Sequence, residues 1–146
     1  MSTTTRVIEA SPSDVFAVLA DGWLYASWVV GASRIREVDA AWPSVGSNIH
    51  HSVGAWPLLI DDRTEVKELE PDRRLKLLAR AWPTGEAMVE ITAEPHPEGS
   101  LVTIVEDAVK GPGLLVPQPV RSVGLDLRNR ETLQRLAFLC ERRDHS

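Results

Sequence analysis

One cysteine, Cys140, is all the thiol chemistry the chain carries. It cannot close an internal disulfide, which excludes the stapled scaffold of small exported domains. Apolar runs are also short. None approaches the roughly 18 residues that a membrane-spanning helix needs. Basic clusters are missing too: the 16 Lys and Arg are scattered through a chain of net charge −5, which leaves no electrostatic footprint for nucleic acid. Of those 16, 13 are Arg, which reads as coding bias. The opening "MSTTTRVIEA" lacks the basic and apolar regions of a secretory signal, so a cytoplasmic protein is expected. No serine-centred elbow, Cys-His pair or dinucleotide-binding loop occurs anywhere. Phe and Tyr are scarce, two and one against five Trp.

What remains is a length of 146 residues with 43% hydrophobic and 25% charged content. That is the composition of one globular domain, able to bury about 70% of its unfolded surface. "TTRVIEA" reads as a strand. "SPSDVFAVLAD" then carries a helix start, with Ser11 as N-cap, Pro12 at the first helical position and Asp14 in the first turn. Val15, Val18 and Leu19 form its apolar face, Gly22 ends it, and "WLYASWVVG" makes a second short helical piece.

From residue 34 to 110 the pattern alternates. Six strands are predicted in "SRIREVDAAW", "SNIHHSVGAW", "DRTEVKELE", "RLKLLARAW", "EAMVEITAE" and "SLVTIVEDAV". Turns at "PSVG", "EPDR", "PTG" and "PHPEG" separate them. Links this short favour an antiparallel meander, because parallel neighbours need long crossovers. "AWP" occurs at residues 41, 55 and 81 with unequal spacing, so it is no repeat; Trp42, Trp56 and Trp82 are expected at the rim of a curved sheet. "KGPGLLVPQPV" is Gly-rich but lacks the Gly-Lys-Ser/Thr ending of a phosphate loop. The last segment, "VRSVGLDLRNRETLQRLAFLCERR", is an amphipathic helix. Leu125, Asn129, Leu133, Leu136, Ala137 and Cys140 lie on one arc, with Arg121, Arg128, Glu131, Arg135 and Arg142 on the other. Phe138 and Leu139 fall off the stripe, which predicts broader burial at its end.

The fold class expected is α+β: a curved sheet of seven antiparallel strands wrapped around a long C-terminal helix, in a single domain spanning residues 1–146. One helix is too narrow to cover the concave face of such a sheet. Many inward positions are small (Val53, Ala79, Ala81, Ala87, Val89, Ala93), so an internal cavity is expected, the default place for a ligand. At this point the chain resembles a known family. The element order, "SPSDVFAVLAD", "TEVKELEPDRRLKL" and "RNRETLQRLAFLCE" are similar to the SRPBCC superfamily, the helix-grip fold of START lipid-transfer domains, birch-pollen-allergen-like proteins and bacterial polyketide cyclases. "HHSVGAWPLLIDD" and "VEDAVKGPG" resemble an actinobacterial subgroup labelled polyketide cyclase/dehydrase. The resemblance implies a ligand cavity and establishes no reaction.

Candidate chemistry starts with His50 and His51. Neighbouring strand residues point to opposite faces, so the pair cannot grip one metal, and no third zinc ligand stands at a plausible spacing. His51 shares the apolar parity of Ile49 and Val53 and is placed inward; His50 faces out. His51 is then either a hydrogen-bonded wall residue or a ligand-facing acid, base or donor. Glu106 shares the parity of Val102 and Ile104, or Asp107 does if the parity is reversed. It is either an ion pair or mouth carboxylate, or an acid/base partner of His51. Asp61 and Asp62 are expected in a solvated turn. Asn129, on the inner arc of the helix, could orient a ligand carbonyl or bond to backbone. Tyr25 and Trp28 border the cavity mouth, packing there or stacking on a ligand. Tyr25, Trp28, His51, Val53, Trp56, Ala79, Val89, Ile104, Asn129 and Leu133 form the expected binding wall, with His51 and Glu106 as candidate catalytic groups. No cofactor or metal is implied. The expected partner is a small hydrophobic ligand, lipid or polyketide-like aromatic. An enzyme of cyclase, dehydratase or isomerase type and an interaction module of chaperone-activator type are the alternatives.

Overall fold

The computed structural model describes residues 2–29, 32–53, 60–81, 85–110 and 118–143. Strand β1 (Ser2–Ile8) leads into α1 (Pro12–Ala20), a 3-10 turn (Gly22–Leu24) and α2 (Tyr25–Trp28). Six strands follow: β2 (Ala32–Val38), β3 (Asn48–Val53), β4 (Ile60–Glu70), β5 (Arg74–Ala81), β6 (Gly85–His96) and β7 (Gly99–Lys110). Helix α3 (Gln118–Arg143) ends the chain. The sheet order is β1-β7-β6-β5-β4-β3-β2, antiparallel throughout. The chain thus crosses from one sheet edge to the other through α1 and α2, then meanders back to pair β7 with β1. This is the α+β helix-grip arrangement.

Local chemistry accounts for the start of α1. The Ser11 hydroxyl accepts the Asp14 N–H at 3.1 Å, with Pro12 in the first turn. Val15, Phe16, Val18 and Leu19 are buried on its inner face. Helix α3 packs on β1, β7, α1 and α2 through Asn129, Thr132, Leu133, Leu136, Ala137 and Cys140. Two further links tie it to the start of the chain: the Ser2 hydroxyl donates to Asp126, and the Glu9 N–H donates to Glu141 at 3.0 Å.

Register sorts the sheet interior into rows. Leu75, Ile91 and Ile104 lie side by side, as do Val66, Leu77, Val89 and Glu106. The next row holds Thr64 and Ala79 beside Ala87. Bulk therefore declines along the strands, from isoleucine and leucine at one end to alanine at the other. The outer face is laced with ion pairs: Arg74 with Glu68 and Glu90, and Arg80 with Glu86.

Three expectations need correction. Trp42 is not a rim residue: β2 stops at Val38, and the turns over 39–46 fold the indole under α1, where it is 8% exposed and its Nε1 donates to the Leu19 carbonyl at 3.1 Å. Asp61 and Asp62 are not in a turn, because the β3–β4 ladder runs on to pair them with Ser52 and His51. The end of α3 is broadened only in part: Leu139 is partly buried against the core, whereas Phe138 is 58% exposed, with the Arg142 guanidinium 4.9 Å from its ring centre. Trp56 and Trp82 lie outside the described residues, as does most of "KGPGLLVPQPV". Among the described residues no helix is long and apolar enough to cross a membrane, and no group of three or more His, Cys, Asp or Glu gathers.

Two glycines test how tightly the turns are built. Gly99 has φ +140°, and a Cβ there would sit 2.4 Å from the Ile8 carbonyl oxygen and 2.6 Å from Ala10 N. Gly46 has φ +89° with nothing within 4 Å. Gly46→Ala is expected to cost about 1 kcal/mol from backbone strain alone, whereas Gly99→Ala adds a backbone collision and costs roughly 2–4 kcal/mol. Equal shifts in urea midpoint would refute the packing of β1 against that turn.

The β2–β3 connection depends on Asp39. Its carboxylate accepts the Asn48 backbone N–H at 2.8 Å and lies 3.3 Å from His50 Nε2. That backbone hydrogen bond, followed by the contacts from His50 and the Asn48 amide, holds the carboxyl below its ordinary 3.8. A depressed acid stabilises the fold above its unfolded value and loses that contribution as pH falls through the lower, folded one. Asp39→Asn should therefore flatten the acid side of the stability–pH curve while changing little of its shape above pH 5, read by thermal melts.

Candidate ligand-binding site

Where the rows shrink to alanine, α2 and α3 close over β5, β6 and β7 and leave a cavity of about 70 Å³. Its apolar wall is Trp28, Val29, Leu77, Ala79, Val89, Ile91 and Ile104; Tyr25, Glu106, Arg128, Asn129 and Thr132 supply the polar groups. The hollow is smaller than the inward strand residues alone predict. Leu75, Leu77, Ile91 and Ile104 on the strands, with Leu133 and Leu136 on α3, fill the rest of the trough.

Glu106 projects from the middle of β7 and its side chain is 4% exposed. An isolated carboxylate there would be costly, and Arg128 of α3 meets it with a charge-assisted hydrogen bond. The assignment of Arg128 to the solvent face is thus corrected. At about 100° per residue it stands some 40° from the buried Thr132, at the edge of the inner arc, and its long stem carries the guanidinium inward. Its side chain is still 39% exposed, so it spans from the cavity to solvent. The remaining polar groups are Asn129, 2% exposed, and Trp28, 3% exposed; Asn129 Nδ2 and Trp28 Nε1 are buried without a hydrogen-bond partner.

A second polar cluster adjoins the wall at Tyr25. The Thr64 hydroxyl lies 3.1 Å from the Tyr25 hydroxyl and 2.8 Å from His51 Nε2. The His51 ring stacks on Tyr25 at 5.6 Å between centres, and Trp28 meets Tyr25 edge-on at 5.3 Å. A hydroxyl has one proton to give. With neutral His51 accepting at Nε2, the protons run from Tyr25 to Thr64 to His51; protonating His51 reverses the direction. Burial pushes the Tyr25 phenol up to about 12, with the Thr64 hydrogen bond opposing and the Glu106 charge adding to the shift.

Of the residues the sequence singled out, Tyr25, Trp28, Ala79, Val89, Ile104, Glu106 and Asn129 come together in this lining. His51 is buried but stands outside it, against Tyr25 and Thr64. Leu133 lies in the solid core. Trp56 and the Val53 side chain are outside the described residues. Sequence reasoning missed Thr64, Val29, Leu77, Ile91, Arg128 and Thr132. Thr132 is three residues from Asn129 on the same face, and Thr64 shares the parity of Val66, so periodicity marks both.

With this geometry in place, comparison with known proteins assigns the family. A family model described as polyketide cyclase / dehydrase and lipid transport matches residues 2–141. The chain belongs to this family. No curated protein matches it. Solved structures share the family fold. A protein from Chromobacterium violaceum is 22% identical with a TM-score of 0.70, covering 94% of each chain. The di-domain ARO/CYC StfQ of the steffimycin biosynthetic pathway is 11% identical with a TM-score of 0.73, over 99% of this chain and 51% of that one. DynU16, from the dynemicin biosynthetic locus, is 21% identical with a TM-score of 0.67, over 96% of this chain and 46% of that one.

Tyr25 is the one tyrosine of the chain, which makes its environment measurable. Phenolate absorbance at the red edge of the protein band should rise with a midpoint near 12 in the folded protein and near 10.0 once it is denatured. Below pH 10 the phenol is protonated in both states. Above it the unfolded chain ionises first, and folding stability falls by roughly 2–3 kcal/mol over the following two pH units. A native midpoint at the denatured value would show that Tyr25 faces water.

Proposed function

We propose that this chain binds a small hydrophobic molecule in the cavity between α2, α3 and strands β5 to β7. The observation that carries the reading is an apolar hollow into which a few buried polar residues converge, the usual composition of a ligand site. At about 70 Å³ the cavity is about half the roughly 150 Å³ that accommodates benzene. A ligand of one ring therefore has to widen it. Arg128 reaches from the lining to solvent, with its side chain 39% exposed, and its displacement from Glu106 opens the way in. Burial of apolar ligand surface then supplies affinity at about 25 cal/mol per Å² before ordering costs.

The family description names a cyclase and dehydrase activity beside lipid transport, and StfQ is called an ARO/CYC. A catalytic version of the site would use Glu106 within the cavity and the Tyr25–Thr64–His51 chain beside it as proton carriers. The two readings share a cavity and differ in whether a bound molecule is changed.

Ala79→Leu adds three carbons to the wall, about the volume of the void. It should keep the folded stability within about 1 kcal/mol while excluding ligand. Organic extraction of the purified protein and mass spectrometry should recover an apolar molecule from the native chain and not from Ala79→Leu. Equal recovery from both would sink the cavity reading. Glu106→Gln separates the two versions: a binding protein retains the same molecule unchanged, whereas an enzyme accumulates an unconverted precursor.

A further inference from the structure

Every polar residue of the cavity wall can be accounted for. The Tyr25 hydroxyl is engaged with Thr64, Glu106 and Arg128 with each other, and Thr132 has an interaction of its own within the protein. Trp28 Nε1 and Asn129 Nδ2 remain, both buried and both without a partner. Both atoms are hydrogen-bond donors. An unpaired buried donor is costly, and these two belong to residues of one cavity lining.

Resting on the cavity-binding reading above, we propose that the ligand is a neutral carbonyl compound whose oxygen accepts hydrogen bonds from Trp28 Nε1 and Asn129 Nδ2. A carbonyl oxygen carries two lone pairs and can take both donors at once. An amine or ammonium head brings further N–H groups to two sites that can only donate, and gains nothing from either. A plain hydrocarbon would leave both donors unmet. Specificity for an oxygen acceptor follows from these two residues, which lie on different elements, Trp28 at the end of α2 and Asn129 in the middle of α3.

Cyclohexanone and methylenecyclohexane make a direct test, since they share one ring and one shape and differ in having C=O or C=CH2. Both are titrated into the full-length protein labelled with nitrogen-15, and the tryptophan indole N–H and asparagine side-chain resonances are followed. Trp28→Phe identifies the Trp28 signal and removes the donor while keeping an aromatic ring. The ketone should shift the Trp28 indole proton downfield and the hydrocarbon should not. Trp28→Phe and, independently, Asn129→Leu should each weaken the ketone about five- to tenfold more than the hydrocarbon, the worth of one hydrogen bond. If both molecules bind and the variants weaken them equally, or the indole proton does not respond, the carbonyl assignment is overturned and cavity binding stands. If neither molecule binds the native protein, both fall.

Discussion

A seven-stranded curved sheet has more concave surface than a single helix can hide, and the organisation of this molecule follows from that mismatch. Helix α3 lies on β1 and β7, where the Ser2–Asp126 and Glu9–Glu141 hydrogen bonds hold it. The strip toward β5 is left to two short pieces of chain between β1 and β2. They cover it by inserting Phe16, Leu19, Tyr25 and Trp28 into the interior. Aromatic rings suit this task because each removes a large area from water with few side-chain torsions to fix. The covering is complete where strand residues are large. It falls short where Ala79 and Val89 leave no bulk beneath the rings, and the cavity lies there.

The same strip carries half of the buried polar residues among the described ones. Glu106, Asn129, Thr132, Thr64 and His51 are each at most 5% exposed. Polar groups in a core weaken it unless paired, and here the pairing is uneven. Thr64 satisfies two neighbours and Arg128 neutralises Glu106, while the donors of Trp28 and Asn129 go unanswered. A core selected for stability alone would place leucine at position 129. On the binding reading proposed above, those two donors are the groups that a guest would satisfy on arrival.

Much of this was legible from residue order. The Ser11–Pro12–Asp14 start of α1, the alternating parity of β5 to β7 and the inner arc of α3 all rest on local periodicity, and the structure follows them. So does the inward placement of Glu106, since parity along "LVTIVED" needs no knowledge of the neighbouring strand. Failures occurred where a residue's surroundings come from distant chain. Local pattern places Trp42 at a strand end, whereas the turns after β2 carry it under α1. A helical wheel groups Arg128 with the solvent-facing arginines because it cannot show a carboxylate on β7, 22 residues away.

Local chemistry by itself determined the element types, their order, the short turns that force an antiparallel meander and the face each side chain takes. These depend on neighbours within a few residues, and the chain states them directly. The tertiary structure decided how large a hollow survives, that Glu106 is answered by Arg128, that His51 stands beside the wall and not in it, and that two donors are left over. Those outcomes are set by packing volumes and hydrogen-bond partners brought together from elements far apart in sequence, which no periodicity encodes.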